Sequence, residues 1–371
     1  MLFRPSTMWR FMIVTSVCTP DSKSAFQHSI GFVAGGIGDQ IYHLTQLRTL
    51  AAASKAEKID IACIHPSQIG QLLANSPWAG KIIDARPLRR YVPGVRGQAA
   101  VDEIKQQSYD TAFFMHRSTS FKIAAMAAGI KHRVGLQGHW LDRVILSHRL
   151  GHASRERGDL WGHRPFIGAI DDFVVASGLS LDEKTPTILP SKSALTEADA
   201  MLAPLSGPII MLNLFAADPM RRWPINAALH SVLHLVEATG GTFILNAGPD
   251  ARAYHEECMT SWQTMTANKN SRIQKSLINS LGHNPSMAKD VALYHRADLY
   301  VGVDSFTANL ALNCNLPALI LFARESYILR YRSISEAVSA PDDGDISSIT
   351  TDKIIAAFYK LSKITKVKLN T

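Results

Sequence analysis

The stretch IGFVAGGIGD, residues 30–39, decides the fold class of this chain. It opens with an apolar run that is typical of a buried strand, passes through Gly35-Gly36 and ends at Gly38-Asp39. Residues 40–54 then carry apolar side chains at helical spacing. Glycines between a strand and a helix let the backbone turn sharply and approach a ligand closely. We therefore predict a strand, a ligand-binding turn and a helix.

The same alternation continues along the chain. After the strand at 30–34, we predict strands at 59–64, 81–85, 111–115 and 133–136, alternating with helices at 40–54, 66–74, 101–107 and 121–129. A second series has strands at 208–214, 242–246, 299–303 and 318–322, and helices at 224–240, 291–297, 306–313 and 351–361. Strands that alternate with helices favour parallel sheets with crossover helices. The prediction is an α/β chain with two doubly wound parallel-sheet domains.

Composition shifts give the domain boundaries. We expect an N-terminal extension at 1–27, a first domain at 28–179, a linker at 180–207 and a second domain at 208–371. The linker is rich in Pro, Ser, Thr and Asp. Whether the last helix packs back on the first domain is left open. Doubly wound domains bind ligands beyond the carboxyl ends of their strands, so we expect the site in the cleft between the domains.

The charge is placed unevenly. The chain has 371 residues, of which 46% are hydrophobic and 19% charged, which excludes a wholly disordered protein. The net charge is +8, and residues 1–164 hold 21 Lys and Arg against 11 Asp and Glu. A basic first half indicates an anionic partner. Nucleic acid is not expected, because no known nucleic-acid-binding module or basic strand with interleaved aromatic residues is present.

Cysteines and hydropathy indicate the compartment. The four cysteines (Cys18, Cys63, Cys258 and Cys314) have no CxxC spacing, so neither a zinc site nor a disulfide framework is expected. No apolar run approaches the ~20 residues that span a bilayer. We expect buried, reduced cysteines in a cytoplasmic protein, with peripheral contact to the inner face of the membrane left open.

Three segments carry candidate chemistry. Asp39, at a helix start, is either a general base or a helix cap. Arg221 and Arg222, after a strand, either recognise phosphate or form a solvated basic turn. Asp304-Ser305 leads into a small-residue helix, whose N–H groups, with the hydroxyls of Ser305 and Thr307, suit a diphosphate. The alternative for that segment is a plain N-cap.

In their order and spacing, these motifs resemble glycosyltransferase family 9, the lipopolysaccharide heptosyltransferases. Gly38-Asp39 with Leu44 and Leu47 is similar to the first motif, whose Asp is the proposed base. Arg221-Arg222-Trp223-Pro224 is similar to K-x-W-P. Asp304-Ser305 with Asn309-Leu310-Ala311 is similar to D-[ST]-G-x-x-H-L-A. Five positions depart from the family: Arg221 replaces Lys, Phe306 replaces Gly, Asn309 replaces His, and Ala216 and Ala217 stand where small hydroxyl residues are often found.

The resemblance runs from about Ile30 to Leu361 and implies the GT-B fold, two Rossmann-like domains facing a central cleft. It implies an inverting, metal-independent transfer of a hexosyl or heptosyl group. The expected donor is ADP-heptose, with no other cofactor, and the expected acceptor is a lipopolysaccharide core or another anionic glycan or glycolipid. Asp39 would be the base, and Arg221 would stabilise the departing diphosphate. The expected donor-binding residues are Arg222, Asp250, Asp304, Ser305, Phe306, Thr307 and Asn309, and the acceptor-binding residues are Gly36, Gly38, Gln40, Arg86, Arg89 and Arg90.

Other interpretations stay open. One is a GT-B transferase with another nucleotide sugar, or with a protein or capsule acceptor. Another is a catalytically lapsed GT-B protein that binds an anionic glycan or a membrane surface. The histidines are spread without a metal-like pair. His116, His139 and His163 either contact the cleft or are polar surface residues, and we favour the second interpretation.

Overall fold

A computed structural model describes residues 26–137, 139–150, 174, 179–282, 286–323, 334–341, 344–365 and 367 of the chain. The chain divides into two compact units, Met1–Asp182 and Glu183–Thr371. Most of the predicted extension 1–27, with Cys18, and also His163 lie outside the described residues.

Unit 1 is built on a parallel sheet in the order β3-β2-β1-β4-β5-β6. Its strands are β1 Ser29–Phe32, β2 Ile59–Cys63, β3 Ala79–Asp84, β4 Thr111–Phe114, β5 His132–Leu136 and β6 His148–Leu150. Its described helices are α1 Ile37–Tyr42, α2 Leu44–Ala53, α3 Pro66–Leu73, α4 Gln98–Gln106, α5 Thr119–Ala127 and α6 Asp142–Ile145, with a 3₁₀ turn at Arg86–Arg90. Residues of β1, β2 and β4 are buried throughout, as is typical of strands in a parallel sheet.

Unit 2 repeats this topology in the order β12-β11-β10-β7-β8-β9, again with parallel pairing. Its strands are β7 Ile209–Asn213, β8 Thr242–Leu245, β9 Leu277–Asn279, β10 Leu299–Val303, β11 Ala318–Phe322 and β12 Ser335–Ser339. Its described α-helices are α7 Lys192–Leu202, α8 Ile225–Thr239, α9 Arg252–Thr266, α10 Ser271–Gln274, α11 Met287–Arg296, α12 Phe306–Asn313 and α13 Thr351–Ser362, with 3₁₀ turns at Pro219–Arg221 and Pro249–Ala251 among others.

Both units therefore have the strand order of dinucleotide-binding doubly wound domains, and the predicted α/β class is confirmed. In such a sheet the chain reverses its direction of winding between the first and fourth strands. Here these are β1 and β4 in unit 1 and β7 and β10 in unit 2. The loops that follow these four strands define where each unit can bind a ligand.

Several local predictions differ from the structure. The helix predicted at 40–54 is two helices, α1 and α2, separated at His43. Residues 180–207, the predicted linker, contain the unpredicted helix α7, which packs on α11. Helix α9 was not predicted, although His255, Cys258 and Trp262 form its buried face at helical spacing. Helix α13 packs against α8, β11 and β12 of its own unit.

The described cysteines are buried, as predicted. Burial raises the pKa of the Cys63 and Cys258 thiols to about 12, so both stay protonated at neutral pH. In the described part of the chain, no helix combines the length and apolar character needed to cross a membrane.

Candidate functional site

The loop after β1 places Asp39 at the switch point of unit 1. Gly36 is the N-cap of α1 and Asp39 is its third residue, so the alternative of Asp39 as the N-cap itself is wrong by position. Its carboxylate nevertheless serves the helix start, because the Gly36 N–H donates to Asp39 Oδ2 at 2.8 Å. Gly35 has a φ of +94°, and a Cβ there would lie 2.5 Å from the same oxygen. The Asp39 carboxylate therefore fits against the backbone of the turn because Gly35 has no Cβ.

Gln40 holds this loop from inside the protein. Its side chain is fully buried, and its amide nitrogen donates to the Gly35 and Gly36 carbonyls at 3.0 and 3.3 Å. Its amide oxygen accepts from the Ile64 N–H at 3.2 Å. The prediction that Gln40 contacts an acceptor is therefore not supported, since burial leaves it positioning the loop. The structure gives Gly36 and Gly38 backbone roles in the turn and the first helical positions.

His116, which follows β4, is the neighbour of Asp39 that the sequence did not assign to the site. The pKa of His116 is lowered, chiefly by desolvation of the ring. The Asp39 carboxylate opposes this shift, whereas Lys122 and Arg117 add to it. The Ser118 N–H donates to Nδ1 at 3.1 Å, which places the proton of the neutral ring on Nε2. Burial, with a smaller effect of His116, lowers the pKa of His43 to about 3. His116, whose lowered pKa favours the neutral ring, is thus an electrostatic neighbour of Asp39.

The basic segment after β3 divides into a paired and an unpaired part. Arg86 forms a bidentate ion pair with Asp84, with nitrogen–oxygen distances of 2.5–2.9 Å, and this lowers the pKa of the Asp84 carboxyl. Arg89 and Arg90 are exposed and make no ion pair within the described part of unit 1. They are therefore better placed than Arg86 to meet an anionic ligand.

In unit 2, the structure brings the second and third motifs together. Arg221 ends the 3₁₀ turn after β7, and its Nη1 donates to the Asp304 carbonyl at 3.3 Å. The same nitrogen lies 3.5 Å from Asp304 Oδ2, and Nε lies 3.8 Å from Asp218 Oδ2. The side chain is 39% exposed, so these contacts orient the guanidinium without covering it. A cation is thus fixed at the switch point of unit 2.

Arg222 braces the loop that carries Arg221. Its Nε donates to the Ala216 carbonyl at 2.8 Å, and its guanidinium lies 4.5 Å from the centre of the Phe215 ring. These contacts hold the Arg222 guanidinium against its own loop, and its predicted contact with the donor stays a prediction. Trp223 is buried beneath the turn and its carbonyl accepts from the Tyr254 hydroxyl at 2.6 Å.

A buried hydrogen-bond network lies under the start of α12. Asn213, at the end of β7, donates to Ser305 Oγ at 2.8 Å and to Thr307 Oγ1 at 2.7 Å. Thr307 Oγ1 also lies 3.0 Å from the Tyr300 hydroxyl. The Thr307 side chain, predicted to bind a donor, is buried in this network, so its effect on a ligand is indirect. Ser305 and Asp304 are half-buried and remain accessible.

The remaining predicted donor residues lie around the same sheet edge. Phe306 is half-buried at the first position of α12. Asn309 is 8% exposed and donates to the Ser305 carbonyl at 3.3 Å, so it stabilises the helix start. Asp250 is exposed in the 3₁₀ turn after β8, the strand beside β7. Its place is compatible with contact to a ribose.

A second buried network, which sequence reasoning missed, joins β8 to α11. Asn246 donates to Asp290 Oδ1 at 2.8 Å and to Ser280 Oγ at 3.1 Å, and it accepts from the Tyr294 hydroxyl at 3.1 Å. Burial raises the pKa of Asp290 to about 6. Asn213 and Asn246 both stand at or just after the end of a strand. A polar residue at that place was the signal that could have found them.

Asp290 makes unit 2 sensitive to pH. Its folded-state pKa lies above the value in an unfolded chain, so the folded state binds the proton more tightly. Ionisation therefore costs stability at neutral pH, and this cost disappears as the pH falls through 6 toward 4. Asp290→Asn keeps an acceptor for Asn246 and should stabilise unit 2 at pH 7.5 by up to about 3 kcal/mol, with less gain near pH 5. Melting temperatures at both pH values measure this effect.

The matched control for that experiment is Asp250→Asn, which removes an exposed carboxylate from the same unit. Its pH profile should follow that of the wild type. If Asp290→Asn differed from the wild type by the same melting-temperature shift at pH 5 and at pH 7.5, the raised pKa would not belong to Asp290.

Within the described residues, no group of three or more His, Cys, Asp or Glu side chains is arranged to hold a metal ion.

Comparison with known proteins gives a match only in structure: no family model and no curated protein matches the sequence. The chain is similar to the E. coli ADP-heptose LPS heptosyltransferase II, with 18% identity and a TM-score of 0.65 over 90% of this chain and 98% of that one. It is also similar to a glycosyl transferase family 9 protein from Veillonella parvula, with 15% identity and a TM-score of 0.68 over 90% and 97% of the two chains.

A third similar structure is the E. coli heptosyltransferase WaaC with ADP-2-deoxy-2-fluoro heptose. The identity is 14% and the TM-score 0.62, over 90% of this chain and 99% of that one. At such identities the likeness defines the fold, and the chain has the GT-B fold. The resemblance to glycosyltransferase family 9 that the three motifs indicated is confirmed at the level of the fold.

Proposed function

We propose that this protein is an inverting, metal-independent glycosyltransferase that transfers a sugar from a nucleotide diphosphate sugar to an anionic glycan or glycolipid. The expected donor is ADP-heptose and the expected acceptor a lipopolysaccharide core. The observation that carries the proposal is the oriented Arg221 guanidinium, 3.5 Å from Asp304 at the start of α12. Structures with the same fold are named as heptosyltransferases, and two of them are WaaC with ADP or an ADP-heptose analogue.

The donor belongs to unit 2 in this proposal. The N–H groups at the start of α12 and the Arg221 fork would bind the diphosphate, since both favour phosphate oxygens. Asp304 positions Arg221, and the buried Asn213 network fixes the loop and helix around it. The Arg221 guanidinium is already in place to stabilise the negative charge that develops on the departing diphosphate, and this lowers the activation barrier of the transfer.

The acceptor belongs to unit 1. Its hydroxyl oxygen forms the new bond to the anomeric carbon while the bond from that carbon to the diphosphate oxygen breaks, with inversion. Asp39 receives the hydroxyl proton as the transition state develops. Arg89 and Arg90 supply positive charge for carboxylate or phosphate groups of the acceptor. We place the reaction in the cytoplasm, where buried, reduced cysteines such as Cys63 and Cys258 are typical.

The test of donor binding compares ADP, UDP, GDP and dTDP by calorimetry on the wild type and on Arg221→Ala. We expect one nucleotide, ADP, to bind best, and its Kd to rise about 10- to 100-fold in the variant, because a charge-assisted contact is lost. Arg221→Lys should recover part of the affinity, since it keeps the charge but loses the fork.

Arg296→Ala is the matched control. Arg296 is 41% exposed and paired with Asp199, much as Arg221 is 39% exposed and beside Asp304, but it lies in the last turn of α11. The Arg296→Ala variant should bind ADP as the wild type does. Failure of the wild type to bind any of the four nucleotides would contradict the transferase and favour a lapsed glycan-binding protein.

A further inference from the structure

Helix α11 carries a tyrosine that lies between the two buried hydrogen-bond networks of unit 2. The Tyr294 hydroxyl donates to Asn246 Oδ1 at 3.1 Å, which joins it to the network after β8. Burial raises the pKa of Tyr294, and a hydrogen bond with the Thr307 side chain opposes that shift. Thr307 belongs to the network under the start of α12. The two networks therefore form one continuous chain of hydrogen bonds, in which each bond polarises the next.

The donors of this chain point toward one carboxylate. Asn246 donates to Asp290 Oδ1 at 2.8 Å, and the Tyr294 O–H donates to the oxygen of the same Asn246 amide. Because the Tyr294 hydrogen is bonded to Asn246, the Tyr294 oxygen can only accept a hydrogen bond from Thr307. That bond uses the Thr307 hydrogen, so Thr307 Oγ1 accepts from the Ser305 hydroxyl, 2.8 Å away. The chain thus runs from the Ser305 hydroxyl to the Asp290 carboxylate.

The two ends of the chain have different properties. Ser305 is the N-cap of α12 and is half-buried, so a ligand can reach it. Asp290 lies in the first turn of α11, and burial raises its pKa to about 6, so its charge changes between pH 7.5 and pH 5. Among the described residues, the titratable groups that act on Asp290 are Lys289 and Tyr294, both on α11. Its contact from the β8 side is the neutral Asn246 amide.

We propose that Asp290 is a positioning residue of the donor site, which acts through Tyr294 on the Ser305 hydroxyl. This role rests on the proposed function, in which the diphosphate of the donor binds at the start of α12. When Asp290 is ionised, the chain holds the Ser305 hydrogen toward Thr307, and Ser305 then presents only lone pairs to the phosphate oxygens. When Asp290 is protonated, this orientation weakens and the Ser305 O–H turns to donate to the diphosphate. The nucleotide therefore binds the protonated form more tightly, and its binding favours proton uptake by Asp290.

Calorimetric Kd values for ADP at pH 5 and pH 7.5 test this coupling on the full chain. At pH 7.5, Asp290→Asn should bind ADP about fivefold more tightly than the wild type, because a neutral amide orients the chain less strongly than a carboxylate. At pH 5 the two Kd values should agree within about twofold, because the wild-type carboxyl is then mostly protonated. The ionisation of ADP itself is common to both proteins and cancels in the comparison.

Tyr294→Phe tests the route of the coupling, because it keeps the buried ring and removes the hydroxyl that joins the two networks. In combination with Tyr294→Phe, Asp290→Asn should change the Kd of ADP by less than about twofold at pH 7.5. If Asp290→Asn tightened ADP binding by the same factor with and without Tyr294→Phe, the carboxylate would act through space and the proposal would be overturned. Equal Kd values of Asp290→Asn and the wild type at pH 7.5 would also overturn it, whatever the stability of Tyr294→Phe.

Asp352→Asn and Tyr359→Phe are the matched controls in the same unit. Asp352 is an exposed acid in the first turn of α13, and the Tyr359 hydroxyl of that helix lies 3.5 Å from His234 Nε2. Both variants should bind ADP as the wild type does at both pH values. Absence of ADP binding by the wild type would contradict the proposed function and this role with it. ADP binding by the wild type that Asp290→Asn leaves unchanged would contradict the role of Asp290 alone.

Discussion

Asp39→Asn is expected to lower kcat for sugar transfer by about 10²- to 10⁴-fold while leaving the Kd of the nucleotide unchanged. An amide cannot take the proton from the acceptor hydroxyl. It can still accept the Gly36 N–H, whose bond to Asp39 Oδ2 is 2.8 Å, so the start of α1 should stay intact. In the function that we propose, the nucleotide binds to unit 2, whereas Asp39 belongs to unit 1. Release of nucleoside diphosphate in the presence of acceptor measures the effect.

Gln40→Ala gives the structural comparison for that experiment. Gln40 holds the same loop but cannot act as a base, since it is buried and bonded to the Gly35 and Gly36 carbonyls. Its replacement should lower the melting temperature, whereas Asp39→Asn should not. A kcat for Asp39→Asn within tenfold of the wild type would show that Asp39 is a helix-capping residue and nothing more.

Lys122→Met is expected to destabilise unit 1 by about 3–5 kcal/mol, the largest effect on folding that we anticipate. Lys122 and Asp142 both have side chains with 0% exposure, and Lys122 Nζ lies 2.8 Å from Asp142 Oδ2. Lys122 also donates to the Leu136 carbonyl at 2.9 Å, which ties α5 to the end of β5. Removing the ammonium leaves the buried Asp142 carboxylate without the cation that faces it. The loss in free energy of unfolding is far larger than the stabilisation that an exposed ion pair provides.

A double-mutant cycle with Asp142→Asn separates the pair from its surroundings. The amide in this variant keeps an acceptor for the His139 N–H, which now donates to Asp142 Oδ2 at 2.9 Å. The double variant should be more stable than Lys122→Met alone, because the buried negative charge is removed together with its cation. Urea unfolding, followed through the transition of unit 1, measures all four proteins.

Lys269→Met is the matched control, since Lys269 and Glu237 form a pair at 2.9 Å with side chains 42% and 45% exposed. Water screens such a pair, and its loss should cost below about 1 kcal/mol. A similarly small effect of Lys122→Met would contradict the reasoning on burial.

Much of the fold could be predicted from apolar runs and the turn residues between them. Helix α12 was predicted at its observed bounds, and α13 to within a residue, because small or amphipathic segments stand between clear strand and turn signals. Short edge strands were not predicted. Strands β6 and β9 have three residues each, too few for a periodic pattern. Helix α9 was missed because its buried face uses His255 and Thr266 beside its apolar residues.

The candidate site was predicted less evenly than the fold. The sequence alone determined that Asp39, Arg221 and Asp304 each follow a strand, and that strands alternating with helices form parallel sheets whose carboxyl ends share an edge. Only the tertiary structure decided which side chains remain available there. It turned Gln40, Arg222, Thr307 and Asn309 toward their own loops and helix.

The physical reason is that a polar side chain near a strand end can either bind a ligand or form a hydrogen bond with a neighbouring backbone group. Composition does not distinguish these two roles. That choice depends on burial and on distances between residues far apart in sequence. Asn213 meets Ser305 across 92 positions of the chain, and Asn246 meets Asp290 across 44. Local pattern determined the strands and helices, while long-range packing decided which of their polar residues face solvent.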